Sequence, residues 1–348
     1  MEESLRIRGK AGLAEQDQGT GKAFRPPFGA AGPGLIWAFD LGDHGARAIE
    51  TCDAETSGFR WLHLSLAHQG SASWISRLEA LPEDVREMMV ASDSHQRAIV
   101  EGGAVGCVIH DFERDFERSD SSQVGVLRFA LTPEMMITAR LHPIRSADVV
   151  RQKLARGPGI EEPGDALDLL IGTVSEGIAA VVRELGLDVQ RAEDAFLDGR
   201  HSPSTHGLIG IRRRLAMVNR MLDGLRAVFR RLEGDEDLPE AMLATVERLN
   251  QRIQALGADA LGVQRQIHQL REEIDISVDQ RTNQNLYVLS IMTALMLPAT
   301  FVTGLFGMNT GGLPWAQAPH GTLLATLLAL GTAGATYLFL RWMGFMRR

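Results

Sequence analysis

Three residues near the end of the chain, Gly307, Met308 and Asn309, have the chemistry to meet a hydrated metal ion. Glycine lets backbone carbonyls turn toward a shared axis. The Asn309 side chain adds a neutral amide oxygen. Rings of such oxygens hold a divalent ion through its water shell without stripping it. Just upstream, Leu286, Leu289, Thr293, Leu297 and Thr300 fall on one face of a helix turning 100° per residue. The same face continues downward through Thr282, Asp279, Asp275 and Glu272. The stripe is apolar with hydroxyls above and acidic below. Several copies of this helix around an axis would enclose a pore with a carboxylate-lined mouth. Stripes of this kind are usually packing faces with solvated charge beneath them; the tripeptide at the upper end tips the reading toward a pore.

The elements that must position these residues can be read outward from them. Leu286 to Phe306 contains no charged residue and is long enough to cross a hydrocarbon core of roughly 30 Å as a helix. A second uncharged run, Gly321 to Leu340, follows a loop, Gly307–His320, that lacks Lys, Arg, Asp and Glu. Arg341, Arg347 and Arg348 come after it. Positive charge stays inside, so both termini are expected in the cytoplasm and the loop outside. Trp315 and Trp342 occupy interfacial positions, and Gly331, Gly334 and Ala335 permit close helix contact. Two spans are too few to enclose a path, so a pore requires a homo-oligomer.

Below the membrane run, Met242, Val246, Leu249, Ile253, Leu256, Ala260, Val263, Ile267, Leu270 and Ile274 alternate steps of four and three. Only Gly257 and Gly262 interrupt. One helix from about Glu240 to Phe306 is predicted, roughly 100 Å long. A second seam, Leu208 to Leu232, precedes it, and Asp165–Leu197 has helical spacing as well. Further upstream the pattern alternates. Leu35–Asp40, Arg60–Leu66, Arg97–Glu101, Val105–Asp111, Val124–Leu131 and Met135–Leu141 read as strands, with Gly102-Gly103 as a hairpin turn. Ala72–Leu81 and Ala147–Ala155 read as helices. The fold class is therefore an α/β (α+β) cytoplasmic domain with antiparallel pairing, followed by a long stalk helix and two C-terminal transmembrane helices. The predicted divisions are a tail 1–34, the α/β domain 35–200, the helical stalk 201–285, the first span 286–306, the outer loop 307–320, the second span 321–340 and a basic tail 341–348.

Composition narrows the classes. The chain has 348 residues and a net charge of −8, which argues against a nucleic-acid partner. Two cysteines, Cys52 and Cys107, without a CxxC exclude a disulfide scaffold or cysteine-type zinc site. The first ten residues mix acids and bases and are not a signal peptide. His201, His206 and the carboxylates within His110–Glu117 read as solvated loop, and Arg212–Arg214 as a solvated helix face. His320 stands alone at the outer boundary. No GxxxxGK, HExxH or nucleophile elbow is present, so an enzyme has no support.

The string LPATFVTGLFGMN, placed between two C-terminal apolar runs after a long helix and an α/β domain, resembles the CorA superfamily of divalent-cation transporters. The continuation from Thr310 through Gly311, Gly312, Leu313 and Pro314 to Trp315 is similar to its zinc-associated, ZntB-like branch. The resemblance runs from about Leu35 to the end. It implies a homopentamer with a cytoplasmic funnel in a cell inner membrane. It also implies Gly307, Met308 and Asn309 as selectivity filter, with Asn309 nearest the metal, and Thr300, Leu297, Thr293, Leu289 and Leu286 as pore lining. No cofactor is expected; the divalent ion, zinc first, is cargo, and the lipid membrane and further copies of the chain are the partners. Two departures stand out. The outer loop carries no carboxylate, and neither span holds an ionisable side chain beyond Tyr337, so no proton relay lies within the membrane. The alternatives are a magnesium, cobalt or nickel channel of the same superfamily, and a membrane-tethered structural or sensor protein without a pore.

Overall fold

The computed structural model describes residues 33–42, 45–49, 58–114, 123–157, 159–160, 162–198, 205–308, 314 and 319–345. The predicted tail through residue 32, Cys52, Asn309, most of the outer loop including Trp315, and Arg347 and Arg348 lie outside them, as do the side chains of His201 and His206. The chain divides into two compact units. The first runs to Ala195 and includes Pro203–Gln266; the second comprises Phe196–Ser202 and Ile267–Arg348.

The first unit is built on a seven-stranded sheet, ordered β2-β1-β3-β7-β6-β5-β4. The strands are β1 (Leu35–Gly42), β2 (Gly45–Ile49), β3 (Phe59–Ser65), β4 (Arg97–Glu101), β5 (Ala104–Phe112), β6 (Val124–Leu131) and β7 (Met135–Arg140). Every pairing is antiparallel except β3 with β7. The Gly102-Gly103 hairpin forms as expected, with both glycines at positive φ, a conformation only glycine enters freely. Alternation along the strands gives the sheet two apolar faces. One carries Leu62, Leu64, Val108, Ala130 and Ile137 and packs under Trp74, Ile75, Val85, Met88 and Met89 from α1 (Gln69–Ser76) and α2 (Glu83–Val90). The predicted helix Ala72–Leu81 is thus shorter at its end and starts earlier. Leu78 and Leu81 reach the core from the turn after it, and α2 is an element the spacing did not indicate. Arg128 donates from Nη2 to the carbonyls of Ala91 and Asp93, each at 2.8 Å, and so satisfies the end of α2.

The opposite face holds a row across the sheet: Trp37, His63, Thr138, Phe129 and Cys107. Cys107 is a free, fully buried thiol, and burial raises its pKa. His63 stacks on Trp37 at 4.8 Å. The Thr138 hydroxyl donates to the Leu62 carbonyl (3.1 Å) and accepts from Trp61 Nε1 (3.2 Å). His63 Nδ1 lies 2.8 Å from the same oxygen, and Arg140 Nε donates to His63 Nε2 at 3.0 Å. With Nε2 accepting, Nδ1 must carry the hydrogen, so the imidazole is neutral. Burial first and Arg140 second lower its pKa to about 3 from the ordinary 6.5. The unfolded chain therefore binds the extra proton across that interval, and the stabilisation present above pH 6.5 is lost as pH falls toward 3. About 2 kcal/mol should disappear between pH 7 and pH 5 from this group alone. Thermal unfolding of the detergent-solubilised protein at the two pH values is expected to show a smaller drop for His63→Gln than for the parent; equal drops would place the acid sensitivity elsewhere.

Asp111 sits on this same face, buried, with its carboxylate accepting from Ser146 N at 2.9 Å at the start of α3 (Arg145–Leu154). This corrects the solvated-loop reading of His110–Glu117 for its first residues, which belong to β5. Burial raises the Asp111 pKa against the pull of Ser146, Phe112 and Arg145.

Three long helices complete this part of the chain: α4 (Pro163–Leu197), α5 (Thr205–Glu233) and α6 (Glu240–Gly307). The predicted seams are the buried faces. Leu215, Val218, Leu222, Leu225, Phe229 and Leu232 of α5 and Met242 through Leu270 of α6 are buried at the expected positions. Ion pairs Arg248–Asp168 (3.4 Å) and Arg252–Glu176 (3.5 Å) tie α6 to α4. Lys153 of α3 also meets Glu176, at 2.8 Å; the Lys153 hydrogen bond, ahead of the Arg252 charge, holds the Glu176 pKa low. Asn219 bonds Gln264 at 3.0 Å between α5 and α6. Gly257 is more than a tolerated interruption. The Arg226 guanidinium of α5 lies over it and donates to the Gln254 carbonyl at 3.3 Å; a Cβ at residue 257 would occupy the guanidinium's place.

The second unit contains the upper part of α6 and α7 (Gly321–Trp342). Both helices are long and apolar enough to cross a membrane.

Candidate functional site

The upper part of α6 is helical without a break from Ile267 to Gly307, through Pro298. Proline gives no N–H to the carbonyl four residues earlier, so Ala294 loses its helical partner. On this rod the stripe can be placed by turning 100° per residue. Glu272, Asp275, Asp279, Thr282, Leu286, Leu289, Thr293, Leu297 and Thr300 occupy a band about 100° wide. All of them are exposed in the single chain. Val302, by contrast, is buried and lies about 160° round the helix from Leu286. Ile291, Leu295, Pro298 and Phe306, on the same side as Val302, are partly covered. Ala329 is the buried residue of α7. The stripe is the exposed face of α6, opposite its buried Val302.

The face of α7 that is partly covered runs through Ala325, Ala329, Thr332, Ala333 and Thr336. Gly331, Gly334 and Ala335 are exposed instead, and no atom lies within 4 Å of a Cβ built at either glycine. The small residues expected to allow close contact therefore lie on the open side of α7 in the single chain. The spacing of the stripe also continues beyond Thr300 to Gly304, which was not among the candidate positions; the same step of four carries it there.

Chemically the stripe changes along its length. At the bottom are three exposed carboxylates, of which Asp275 has Arg271 at 4.0 Å. A pair so exposed contributes little. Above come Leu286 and Leu289, 54% and 61% exposed in the single chain. Higher up, Thr293 and Thr300 donate their hydroxyl hydrogens to the carbonyls of Leu289 and Met296, each at 2.8 Å. At the top Gly307 closes the helix, and Met308 N donates to Leu305 O at 3.4 Å. His320 precedes the first residue of α7 and its side chain makes no capping hydrogen bond. Among the described residues no group of three His, Cys, Asp or Glu is placed to hold a metal ion. An ion meeting this face finds hydroxyl oxygens and isolated carboxylates, which suit a cation that keeps its water.

A sheet domain, a helix running from it into an apolar segment, and a second apolar helix returning define a membrane protein of a known kind. Residues 56–343 match the family described as CorA-like Mg2+ transporter protein, and the chain belongs to that family. It is a membrane transporter of divalent cations and not an enzyme. It is similar to the zinc transport protein ZntB of Pectobacterium carotovorum subsp. carotovorum (strain PC1), 25% identical over 287 residues that cover 81% of this chain and 86% of the relative. It is similar, too, to the divalent cation transporter CmaX of Pseudomonas aeruginosa PAO1, 25% identical over 319 residues covering 86% and 93%. The solved structure of full-length CmaX superposes with a TM-score of 0.73 at 23% identity, covering 89% of this chain and 98% of the other. The mixed sheet domain, the long helix and the two C-terminal apolar helices are the shared architecture.

Proposed function

We propose that this chain carries zinc across a cell inner membrane through a pore on the axis of a homopentamer. Both termini are on the cytoplasmic side. Gly307, Met308 and Asn309 form the selectivity filter, with Asn309 meeting the ion's water shell. Leu286, Leu289, Thr293, Leu297 and Thr300 line the path, and Glu272, Asp275 and Asp279 gather cations at the inner mouth, where rings of like charge raise the local concentration. The outer loop 307–320 faces outside and the basic tail 341–348 the cytoplasm, since positive charge stays inside.

One observation carries this reading. The stripe lies on the side of α6 opposite the buried Val302, so neighbouring copies can place it around a common axis. A face that packs within its own chain would be buried as Val302 is. Zinc is preferred over magnesium, cobalt or nickel because of the ZntB-named relative and the Thr310–Trp315 continuation. The test is uptake into vesicles holding the purified protein, comparing Zn2+, Mg2+, Co2+ and Ni2+ with and without a pH gradient, with mass measurement in detergent. Zinc uptake above that of protein-free vesicles, by a particle of five chains, is the expected result. A monomer, or vesicles tight to all four ions, would sink the pore.

A further inference from the structure

From Leu286 to Leu297 the lining stripe spans about 16 Å along the helix. Narrow apolar passages of that length dewet and block ions. Two polar side chains fall on the stretch: Ser290 at the edge of the band, about 40° round from Leu286, and Thr293 nearer its centre, four residues from Leu289 and four from Leu297, about 6 Å from each along the axis. The Thr293 hydroxyl hydrogen is already engaged by the Leu289 carbonyl at 2.8 Å. A hydroxyl has one hydrogen to give and two lone pairs. With the hydrogen turned onto the helix, what Thr293 shows to its open side is an oxygen that can only accept.

We propose that Thr293 is a resting station for the hydrated cation within the apolar gate. This rests on the pore reading above. In a ring of copies the acceptor oxygens face the hydrogens of the ion's coordinated water. They break the dewetted stretch into a step of about two helical turns below Thr293 and one of about one turn above it. The same orientation gives the station its sign preference. The waters around a cation point their hydrogens outward and find acceptors; a chloride ion needs donors, and the Thr293 ring offers none. Thr300 repeats the arrangement one step closer to Gly307, with its hydrogen on the Met296 carbonyl. Thr303 supplies the comparison. Its hydroxyl donates to the Thr300 carbonyl at 3.1 Å, yet it lies about 100° round the helix from Leu286 and off the stripe.

The experiment is Zn2+ uptake into vesicles by the full-length oligomer carrying Thr293→Val, Thr293→Ala, Thr293→Ser or Thr303→Val, beside Asn309→Ala. Thr293→Val keeps the side-chain shape and loses the acceptor; it should lower uptake about tenfold or more, with Thr293→Ala showing the same loss. Thr293→Ser, which restores the hydroxyl, should recover most of the uptake lost in Thr293→Val, and Thr303→Val should match the parent. Parent-like uptake by an intact Thr293→Val oligomer overturns the station, as does an equal loss in Thr303→Val. If Asn309→Ala abolishes uptake while Thr293→Val does not, the station alone falls. If neither variant changes uptake, the pore reading falls with it.

Discussion

Replacing Asn309 by glycine is expected to abolish zinc uptake in an oligomer that still assembles. An amide is neutral and cannot hold a bare divalent ion against the cost of removing its water. It can accept from a coordinated water. Each such bond is worth only about 0.5–1.5 kcal/mol net. A ring presents several together, so losing all copies at once should reduce uptake at least about 100-fold. Asn309→Ala should behave like Asn309→Gly. Asn309→Asp keeps the shape and adds a charge per subunit; its uptake should saturate at lower zinc concentration and run more slowly. The competing account is conformational. The helix ends at Gly307, and asparagine just past a helix end tolerates a left-handed backbone. Glycine serves that turn equally well, so parent-like flux with Asn309→Gly would leave Asn309 as a helix terminator and remove it from the filter.

The second large effect is expected at the other end of the gate. Leu286 and Leu289 are exposed in the single chain, on the face of α6 opposite the buried Val302. In a ring they would form an apolar constriction that excludes water. Leu286→Ser together with Leu289→Ser should let water in and raise zinc leak into vesicles about tenfold or more. Because neither side chain packs within its own chain, the change should not unfold the protein. Unchanged leak through a well-assembled double variant would show that these leucines do not line the passage.

Much of this arrangement is legible in the residues because long elements repeat their signal. The α6 seam from Met242 to Leu270 spans several turns, and each step adds to the pattern. Short elements do not. Helix α2 has eight residues, and its buried Val85, Met88 and Met89 offer barely two turns of period. Strand β2 sits at the sheet edge with Arg47 and Ala48 open to solvent, so burial leaves no alternation on it. The parallel pairing of β3 with β7 joins residues more than seventy positions apart, which no local pattern encodes. Asp111 was readable in principle: it continues the inward series Val105, Cys107 and Ile109, but its charge outweighed its phase. In the site, the stripe and its extension to Gly304 follow from spacing. The direction of the Thr293 and Thr300 hydroxyls does not, since it depends on a side-chain torsion. Asn309 lies outside the described residues, and its role rests on position beside Gly307 and Met308.

If the proposed cargo is zinc, Cys107 has a meaning that packing does not express. Thiolate sulfur is among the strongest ligands zinc meets in a protein, and only the deprotonated form binds. In β5 the thiol is fully buried and its proton is held by desolvation. The sheet thus keeps a soft ligand out of the cargo's reach. On the proposed path such an ion would meet oxygen ligands, without a cluster of three His, Cys, Asp or Glu among the described residues. A tight trap anywhere along such a route would set the turnover of the whole protein by its own escape rate.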